Sequence, residues 1–207
     1  MDAATVDIAS QRALEILDKV KSVFALNGFD GTSMQDLAQA AQMSVGNFYR
    51  YFPSKDALIA ALVKRDMMEI EGLFELVRAA EDPGAIFMQL LRLRIETLPL
   101  EDAALLCEVQ AAAFRGPEIA TLMRTMEETV GSNIVSALAR IHGDNSPEAL
   151  ATYATRAHFI MLLVHGFSQR KACANQSANP EQSAAVAELV LSTLRDTIFA
   201  PPSSQAE

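Results

Sequence analysis

Residues 32–55 read TSMQDLAQAAQMSVGNFYRYFPSK, and the caps and apolar residues of this stretch decide the fold. Thr32, with Gln35 three residues later, is typical of a capping box at the start of a helix. The short helix that follows is predicted to end near Ala40, and residues 41–43 then make a tight connection. The pattern therefore indicates a short helix that leads directly into another one.

The second short helix is predicted over residues 45–51. Ser44 supplies its N-cap, and Pro53 ends it because proline disfavours helical geometry in the residue before it. A longer helix over residues 8–26 precedes both and ends at Asn27-Gly28, a typical left-handed C-cap. Two short helices joined by a tight turn, with a supporting helix before them, are typical of a helix-turn-helix, whose second helix enters the major groove of DNA.

The second short helix has an apolar side and a polar side. Val45, Phe48 and Phe52 recur at helical spacing, which predicts that they anchor the helix on the protein. Gly46 removes a side chain near the helix start and lets the backbone come close to DNA. The side chains left toward the outside are Ser44, Asn47, Tyr49, Arg50 and Tyr51.

The sequence from residue 12 to about residue 62 resembles the DNA-binding domain of the TetR/AcrR family of transcriptional regulators. The match keeps the family's order and spacing. It is carried by residues 13–24, Asn27-Gly28-Phe29, Thr32-Ser33-Met34, Asp36-Leu37-Ala38, residues 41–44 and residues 46–58. The resemblance implies that a larger helical domain follows, with a ligand pocket and with two last helices that pair with those of a second subunit.

The resemblance also implies DNA contacts at individual positions. Those expected to bind phosphates are Thr32, Ser44, Tyr49 and Lys55. Those expected to approach base edges are Val45, Gly46 and Asn47, with Arg50 and Tyr51 beside them. Asn47 is able to pair with adenine. Val45 and Tyr51 depart from the Lys and His that many relatives carry, and Val45 can touch a thymine methyl group but cannot read guanine.

The charge of the chain restricts where DNA could bind. Residues 1–65 carry seven basic and seven acidic side chains, so the net charge of −9 belongs to the rest of the chain. A DNA-binding surface is therefore expected in the neutral N-terminal part. Relatives often place several basic residues before the first helix, whereas this chain has Arg12 alone. Together with Val45, this predicts modest non-specific affinity and modest salt dependence.

The remaining chain is also predicted to be helical. Asp82-Pro83, Ser146-Pro147 and Asn179-Pro180 each place proline at the first position of a helix, directly after a capping residue. The helices predicted after Ser54 span about residues 55–80, 83–98, 101–114, 117–141, 147–173 and 180–199. We therefore expect an all-α fold of about nine helices, with a helix-turn-helix domain over 1–53, a ligand-binding and dimerisation domain over 54–200 and a disordered tail over 201–207.

The last two predicted helices favour a homodimer. The helix over residues 147–173 is apolar or small nearly all round, and such a helix is buried on all faces. A four-helix bundle formed with a second copy would bury both helices and would suit a palindromic operator; a wholly intramolecular core is the alternative. The expected interface residues are His158, Met161, Leu162, His165, Val186, Leu189 and Val190.

A pocket is predicted among flexible apolar residues of the middle helices. Its expected lining is Met67, Phe74, Phe87, Leu91, Glu108, Met123, Met126 and Phe159. Methionine-rich linings adapt to varied ligands, but the same spacing is also typical of an ordinary core. Glu108 lies among apolar neighbours, where a carboxylate would favour a cationic or hydrogen-bonding ligand. The alternative places Glu108 in solvent or in an ion pair at the edge of its helix.

Several classes of protein are not expected. The N-terminal residues lack the apolar segment of a secretory signal, and the longest apolar run near the C-terminus, 159–164, is too short for a membrane span. Cys107 and Cys173 form no disulfide framework, so a cytoplasmic location follows. His158 and His165 are seven residues apart, too far for metal ligands on one helix. We expect no metal, no cofactor and no enzymatic activity.

The sequence thus favours a DNA-binding transcriptional regulator. Its expected partners are a double-stranded operator, a second copy of the chain and a small, largely apolar effector that releases a repressor from DNA. Two alternatives stay open at this point: a DNA-binding protein without a ligand, and a helical adaptor that keeps a helix-turn-helix as a scaffold.

Overall fold

A computed structural model describes residues 3–173 and 179–202, with the side chains of residues 3–10 left aside. Within these ranges it contains helices only, so the predicted all-α class is confirmed. The nine helices of the described ranges are α1 (Ala3–Asn27), α2 (Met34–Ala40), α3 (Val45–Tyr51), α4 (Lys55–Ala79), α5 (Pro83–Thr97), α6 (Leu100–Arg115), α7 (Pro117–His142), α8 (Pro147–Cys173) and α9 (Pro180–Phe199).

The predicted start signals are confirmed for three helices. Ser44 caps α3, and its hydroxyl accepts a hydrogen bond from the Asn47 N–H at 3.4 Å. Asp82 and Asn179 cap α5 and α9 in the same way, each followed by proline in the first turn of the helix. Proline suits this position because its missing N–H would have no partner inside the helix.

The predicted capping box of α2 is wrong by one residue. Ser33, not Thr32, is the N-cap: its hydroxyl accepts from the Asp36 N–H, and the Asp36 carboxylate accepts from the Ser33 N–H at 2.8 Å. The hydrogen bonds from Ser33 lower the pKa of Asp36 below its usual value. Thr32 is unavailable as a cap because its side chain is 2% exposed and its hydroxyl donates to the Gly28 carbonyl at 2.7 Å.

The turn between α2 and α3 is a Schellman motif built without glycine. Gln42 has φ of 58°, the Gln42 N–H donates to the Gln39 carbonyl, and the Met43 N–H donates to the Ala38 carbonyl. A left-handed non-glycine residue costs roughly 1–2 kcal/mol. The turn is therefore maintained by its hydrogen bonds and by the packing of the two helices it joins.

The chain divides into two compact units, and this division does not follow the boundary predicted after residue 53. Unit 1 comprises Met1–Asp66 and Glu101–Met123, and unit 2 comprises Met67–Leu100 and Arg124–Glu207. Helix α6 belongs to unit 1 because its polar side chains bind α1: Lys21 pairs with Asp102, and the Ser22 hydroxyl donates to Glu101 at 3.1 Å. The N-terminal unit is thus discontinuous in sequence.

Unit 2 has a core formed by its own helices. The buried apolar residues include Val77 of α4, Leu138 of α7 and Leu194 of α9, and α5 packs on both α8 and α9. Gly84 at the start of α5 lies so close to Phe199 that a Cβ atom there would be 2.6 Å from the phenyl ring. This close approach brings the first turn of α5 onto the end of α9.

Several contacts also hold the end of α9. The His142 ring stacks on Tyr153 with a centroid distance of 5.6 Å, and its Nε2 is 2.8 Å from the Ile198 carbonyl. Arg156 donates to the carbonyls of Ala200 and Pro201. Arg156 thus binds the start of the predicted tail at Pro201, and residues 203–207 lie outside the described residues, so the disorder of residues 201–207 stays a prediction.

None of the helices in the described part of the chain combines the length and the hydropathy that a membrane span requires.

The core of unit 2 gives a direct test of this packing. Leu138 is fully buried, so we expect Leu138→Ala to lower the free energy of unfolding by about 2–5 kcal/mol through lost contacts and a residual cavity. Leu93→Ala is the matched control because Leu93 is 55% exposed, and it should change stability by about 0.5 kcal/mol or less. Urea denaturation measures both. Equal losses in the two variants would contradict the assigned core.

Candidate nucleic-acid interface

Helix α3 exposes a polar face and buries an apolar one. Phe48 and Phe52 are buried, and their ring centroids lie 5.9 Å apart. Val45 is half-buried beside them. The burial of the two phenylalanine rings orients the short helix, so its opposite face is available to a partner.

The exposed face of α3 contains most of the residues predicted to contact DNA. Ser44, Gly46, Asn47, Tyr49 and Arg50 are exposed, and Tyr51 is half-buried. A Cβ atom placed on Gly46 would meet no atom of the described structure within 4 Å. Gly46 is therefore not needed for packing here, and the open space beside its backbone is consistent with close approach to a ligand.

The charge of this segment is positive although the whole chain is acidic. Between residues 44 and 55 the charged side chains are Arg50 and Lys55, both basic. Arg50 lies in the last turn of α3 and is exposed. An exposed guanidinium at this position suits contact with the phosphate backbone of a nucleic acid.

Two of the predicted phosphate-binding residues, Thr32 and Lys55, do not lie on the exposed face of α3. The buried Thr32 side chain hydrogen-bonds within the turn before α2 and is not available to a phosphate, so that expectation is corrected. Lys55 is half-buried, and its Nζ donates to the carbonyls of Phe29 at 2.7 Å and Thr32 at 3.0 Å. Both residues hold the turn, a function that the spacing of residues along the sequence does not indicate.

Glu108 is the acceptor that sequence reasoning missed. Its Oε2 accepts a hydrogen bond from the Phe29 N–H at 2.8 Å, and the residue is half-buried, so the carboxylate binds the backbone rather than standing free in solvent. Its part in a ligand pocket stays a prediction. The contact joins α6 to the turn after α1, across 79 residues of sequence. Gly28 is the one residue beside Phe29 that could have signalled this contact, because a Cβ atom there would lie 3.1 Å from the Glu108 carboxylate.

The other predicted pocket residues fall in different units. Met123 is buried and belongs to unit 1. In unit 2, Phe74, Phe87 and Leu91 are part of the core, and Phe159 is 40% exposed rather than enclosed. Met67 and Met126 are half-buried. The structure therefore favours the core interpretation for Phe74, Phe87 and Leu91, and ligand binding by these residues stays a prediction.

Unit 2 also contains a groove that the sequence did not predict. Its volume is about 600 Å³, and it lies between the end of α5, the end of α8 and the start of α9. Ile95, Phe167 and Ala187 supply apolar walls, and Arg170 and Lys171 supply positive charge. The groove shares Val186 with the expected dimer interface and none of its lining with the expected pocket.

The predicted interface residues of α8 and α9 divide between an exposed face and the core. Leu162 and Leu189 are 67% and 66% exposed, and His158 is exposed too. Met161 and Val190 are half-buried and pack against the core of unit 2. The remaining two, His165 and Val186, are half-buried. The homodimer interface and the alternative of a wholly intramolecular core both stay predictions for these residues.

The histidines of α8 show no sign of a metal site. The part of the chain that the structure describes contains no group of three or more His, Cys, Asp or Glu side chains placed to hold a metal ion. Burial lowers the pKa of His165. The charge of Glu127 raises this pKa and partly opposes the effect of burial, whereas the charge of Arg94 lowers it further.

Comparison with known proteins agrees with this geometry. Residues 16–62 match the family model of bacterial regulatory proteins, tetR family. The HTH-type transcriptional regulator UidR of Escherichia coli strain K12 is 27% identical over 140 residues, which cover 64% of this chain and 68% of UidR. The HTH-type transcriptional repressor KstR of Rhodococcus jostii is 25% identical over 148 residues, which cover 70% of this chain and 66% of KstR.

Solved structures show the same fold along most of the chain. Salmonella enterica GusR superposes with a TM-score of 0.70 at 21% identity, covering 91% of this chain and 95% of GusR. A regulator from Saccharomonospora viridis in complex with choline superposes with a TM-score of 0.71 at 15% identity, covering 92% and 97%. With its exposed α3 and the family match over residues 16–62, the chain contains the DNA-binding domain of the TetR family of transcriptional regulators.

Proposed function

We propose that this regulator binds a palindromic operator as a homodimer and represses transcription until a small, largely apolar ligand releases it. The observation that carries the proposal is the exposed polar face of α3, which two buried phenylalanines anchor on the opposite side. A short helix with varied side chains on one face fits a major groove about 12 Å wide. The adaptor alternative offers no reason for such a face.

The residues of α3 indicate how sequence would be read. The Asn47 side chain is exposed in the first turn and can form two hydrogen bonds with adenine. Val45 adds an apolar surface for a thymine methyl group. Ser44, Tyr49 and Arg50 surround them with groups that can donate to phosphates. The expected site is therefore rich in A·T pairs where Val45 and Asn47 approach the bases.

Dimerisation is supported by the unpaired apolar side chains of α8 and α9. Leucines as exposed as Leu162 and Leu189 lose contact with water when a second copy packs on them, which favours association. A two-fold dimer presents two copies of α3, and recognition of successive major grooves requires them about 34–36 Å apart. The two-fold symmetry would make the operator a palindrome, and the spacing would set the separation of its half-sites.

Ligand control follows from a change in that spacing. Helix α4 contributes residues to both units, so a ligand that binds best when α4 is tilted would alter the separation of the two α3 helices. Phe74, Phe87 and Leu91 offer only apolar contacts, which favours a small, largely apolar ligand. The choline complex of the neighbour from Saccharomonospora viridis supports small-molecule binding in this fold.

The first prediction of this proposal concerns the operator. Selection of bound duplexes from a random pool at two salt concentrations should recover one palindrome with half-sites about a helical turn apart. Asn47→Ala should then weaken binding to that duplex by about 1–3 kcal/mol, roughly 5- to 150-fold, because the adenine loses its partner. Fluorescence anisotropy measures the loss.

Gln89→Ala is the control for this variant, since Gln89 is exposed on α5 in unit 2. It should bind the duplex as the unmodified protein does. Recovery of no sequence at low salt would refute DNA recognition by α3 and make the adaptor the leading explanation.

A second prediction concerns the dimer. Leu162→Glu places a charge on the exposed face of α8, where it should shift the protein from dimer to monomer without unfolding it. Leu93→Glu makes the same change at a similarly exposed site on α5. Sedimentation equilibrium distinguishes the two variants. A Leu162→Glu protein that remains dimeric would place the interface elsewhere.

A third prediction concerns release. Small apolar compounds that raise the unfolding midpoint of the purified protein should weaken operator binding, and couplings of this kind are typically about 5- to 150-fold. Anisotropy titrations with and without each compound measure the change. If a compound saturates the protein and the affinity for the operator is unchanged, the proposed ligand control is wrong. If DNA binding persists and no compound raises the midpoint, the alternative without a ligand is favoured.

A further inference from the structure

We infer that Glu108 of α6 is a positioning residue for the DNA-binding surface. Its carboxylate holds the turn of residues 28–32, and this turn places α2 and, through α2, the exposed face of α3. The inference concerns a residue far from that face in sequence. Its effect on DNA binding rests on the proposed function, whereas its effect on the turn does not.

The turn begins where α1 ends. The Gly28 N–H donates to the Phe24 carbonyl at 2.9 Å, and Gly28 then takes φ of 71°, which reverses the chain. The next N–H, that of Phe29, lies beyond the helix and needs another acceptor. Glu108 Oε2 supplies it at 2.8 Å. A hydrogen bond to a charged carboxylate is stronger than one to a neutral acceptor.

Glycine makes room for this contact. A Cβ atom on Gly28 would lie 3.1 Å from Oε2 and 3.3 Å from Oε1 of Glu108, in addition to the strain of a positive φ. A Cβ atom on Gly31 would lie 2.3 Å from the Asn27 carbonyl. The turn is thus tight on both sides, and its backbone comes directly against the carboxylate.

The same turn is held from the other side by α4. The Phe29 ring is buried edge-on against Phe24 at a centroid distance of 4.4 Å, and the Phe29 carbonyl accepts from Lys55 Nζ. Lys55 also bonds the Thr32 carbonyl, one residue before the Ser33 cap of α2. Glu108 and Lys55 therefore bond the N–H and the carbonyl of a single residue, and the position of α2 follows from both.

Three residues on one side of α6 bind α1 or the turn that follows it. Glu101, Glu108 and Arg115 are seven residues apart, so they lie about 10 Å apart along one side of the helix. Glu101 accepts from Ser22, and Arg115 NH2 lies 3.2 Å from the Asp30 carboxylate. The two outer contacts fix the alignment of α6 with α1 and the turn, and Glu108 bonds the backbone between them.

The test compares three substitutions in the full-length protein. Glu108→Gln keeps a side-chain oxygen at the same reach, Glu108→Asp keeps the charge but is one methylene too short, and Glu108→Ala loses both. We expect the Glu108→Gln protein to bind the selected duplex with an affinity within about threefold of that of the unmodified protein. The Glu108→Asp and Glu108→Ala proteins should bind it about tenfold more weakly. Thermal unfolding shows that each variant is folded.

The direction of the change separates positioning from simple charge. Removing an acidic group generally strengthens DNA binding, because less repulsion opposes the phosphates. Glu118→Ala, at an exposed acid of the same unit, is the matched control and should show that small strengthening. Equal or tighter binding by Glu108→Ala, or equal weakening by Gln and Asp, would overturn the inference.

Hydrogen exchange at the Phe29 amide tests the turn without DNA. Exchange should be about tenfold faster in Glu108→Asp and Glu108→Ala than in the unmodified protein or Glu108→Gln, because only the latter two retain an acceptor in reach. Unchanged exchange in Glu108→Asp overturns the inference even if Glu108→Ala fails to fold. If the unmodified protein selects no duplex while the exchange pattern holds, the proposed function has failed and the turn contact stands.

Discussion

The reversal of the chain between α1 and α2 is the constraint on which the DNA-binding unit depends. A glycine in the left-handed region ends α1, and the backbone groups that leave the helix there need new partners. Glu108 bonds the N–H of Phe29, and Lys55 bonds the carbonyls of Phe29 and Thr32. Because these partners are 79 and 26 residues away from Phe29 in sequence, the turn forms only together with the tertiary structure.

The exposed face of α3 depends on that turn through α2. A helix of seven residues is too short to be stable alone, so α3 owes its existence to its cap, to the Schellman motif before it and to the burial of Phe48 and Phe52. None of these interactions uses the outer side of α3. Gly46, Asn47 and Arg50 are consequently available for recognition, while the conformation that presents them is determined on the opposite side.

Unit 2 explains why apolar and small residues occur on nearly all sides of α8. Tyr153, Ala157 and Ile160 face its own core, while Phe159 and Leu162 remain exposed. A single helix therefore has one apolar face in the core of unit 2 and another that is exposed. The sequence could predict that α8 is buried all round, but it could not separate these faces, because the separation depends on how α5 and α9 pack against α8.

The sequence by itself determined the all-α class, the order of the helices and most of their ends. Proline at the starts of α5 and α9, Ser44 before α3 and Gly28 after α1 act within about four residues, so their effects can be read locally. Only the tertiary structure decided that Thr32 is buried, that Lys55 and Glu108 hold a turn, and that α6 belongs to the N-terminal unit. The physical reason is distance: a polar side chain bonds whichever backbone group the folded chain brings within reach, and local spacing contains no record of that partner.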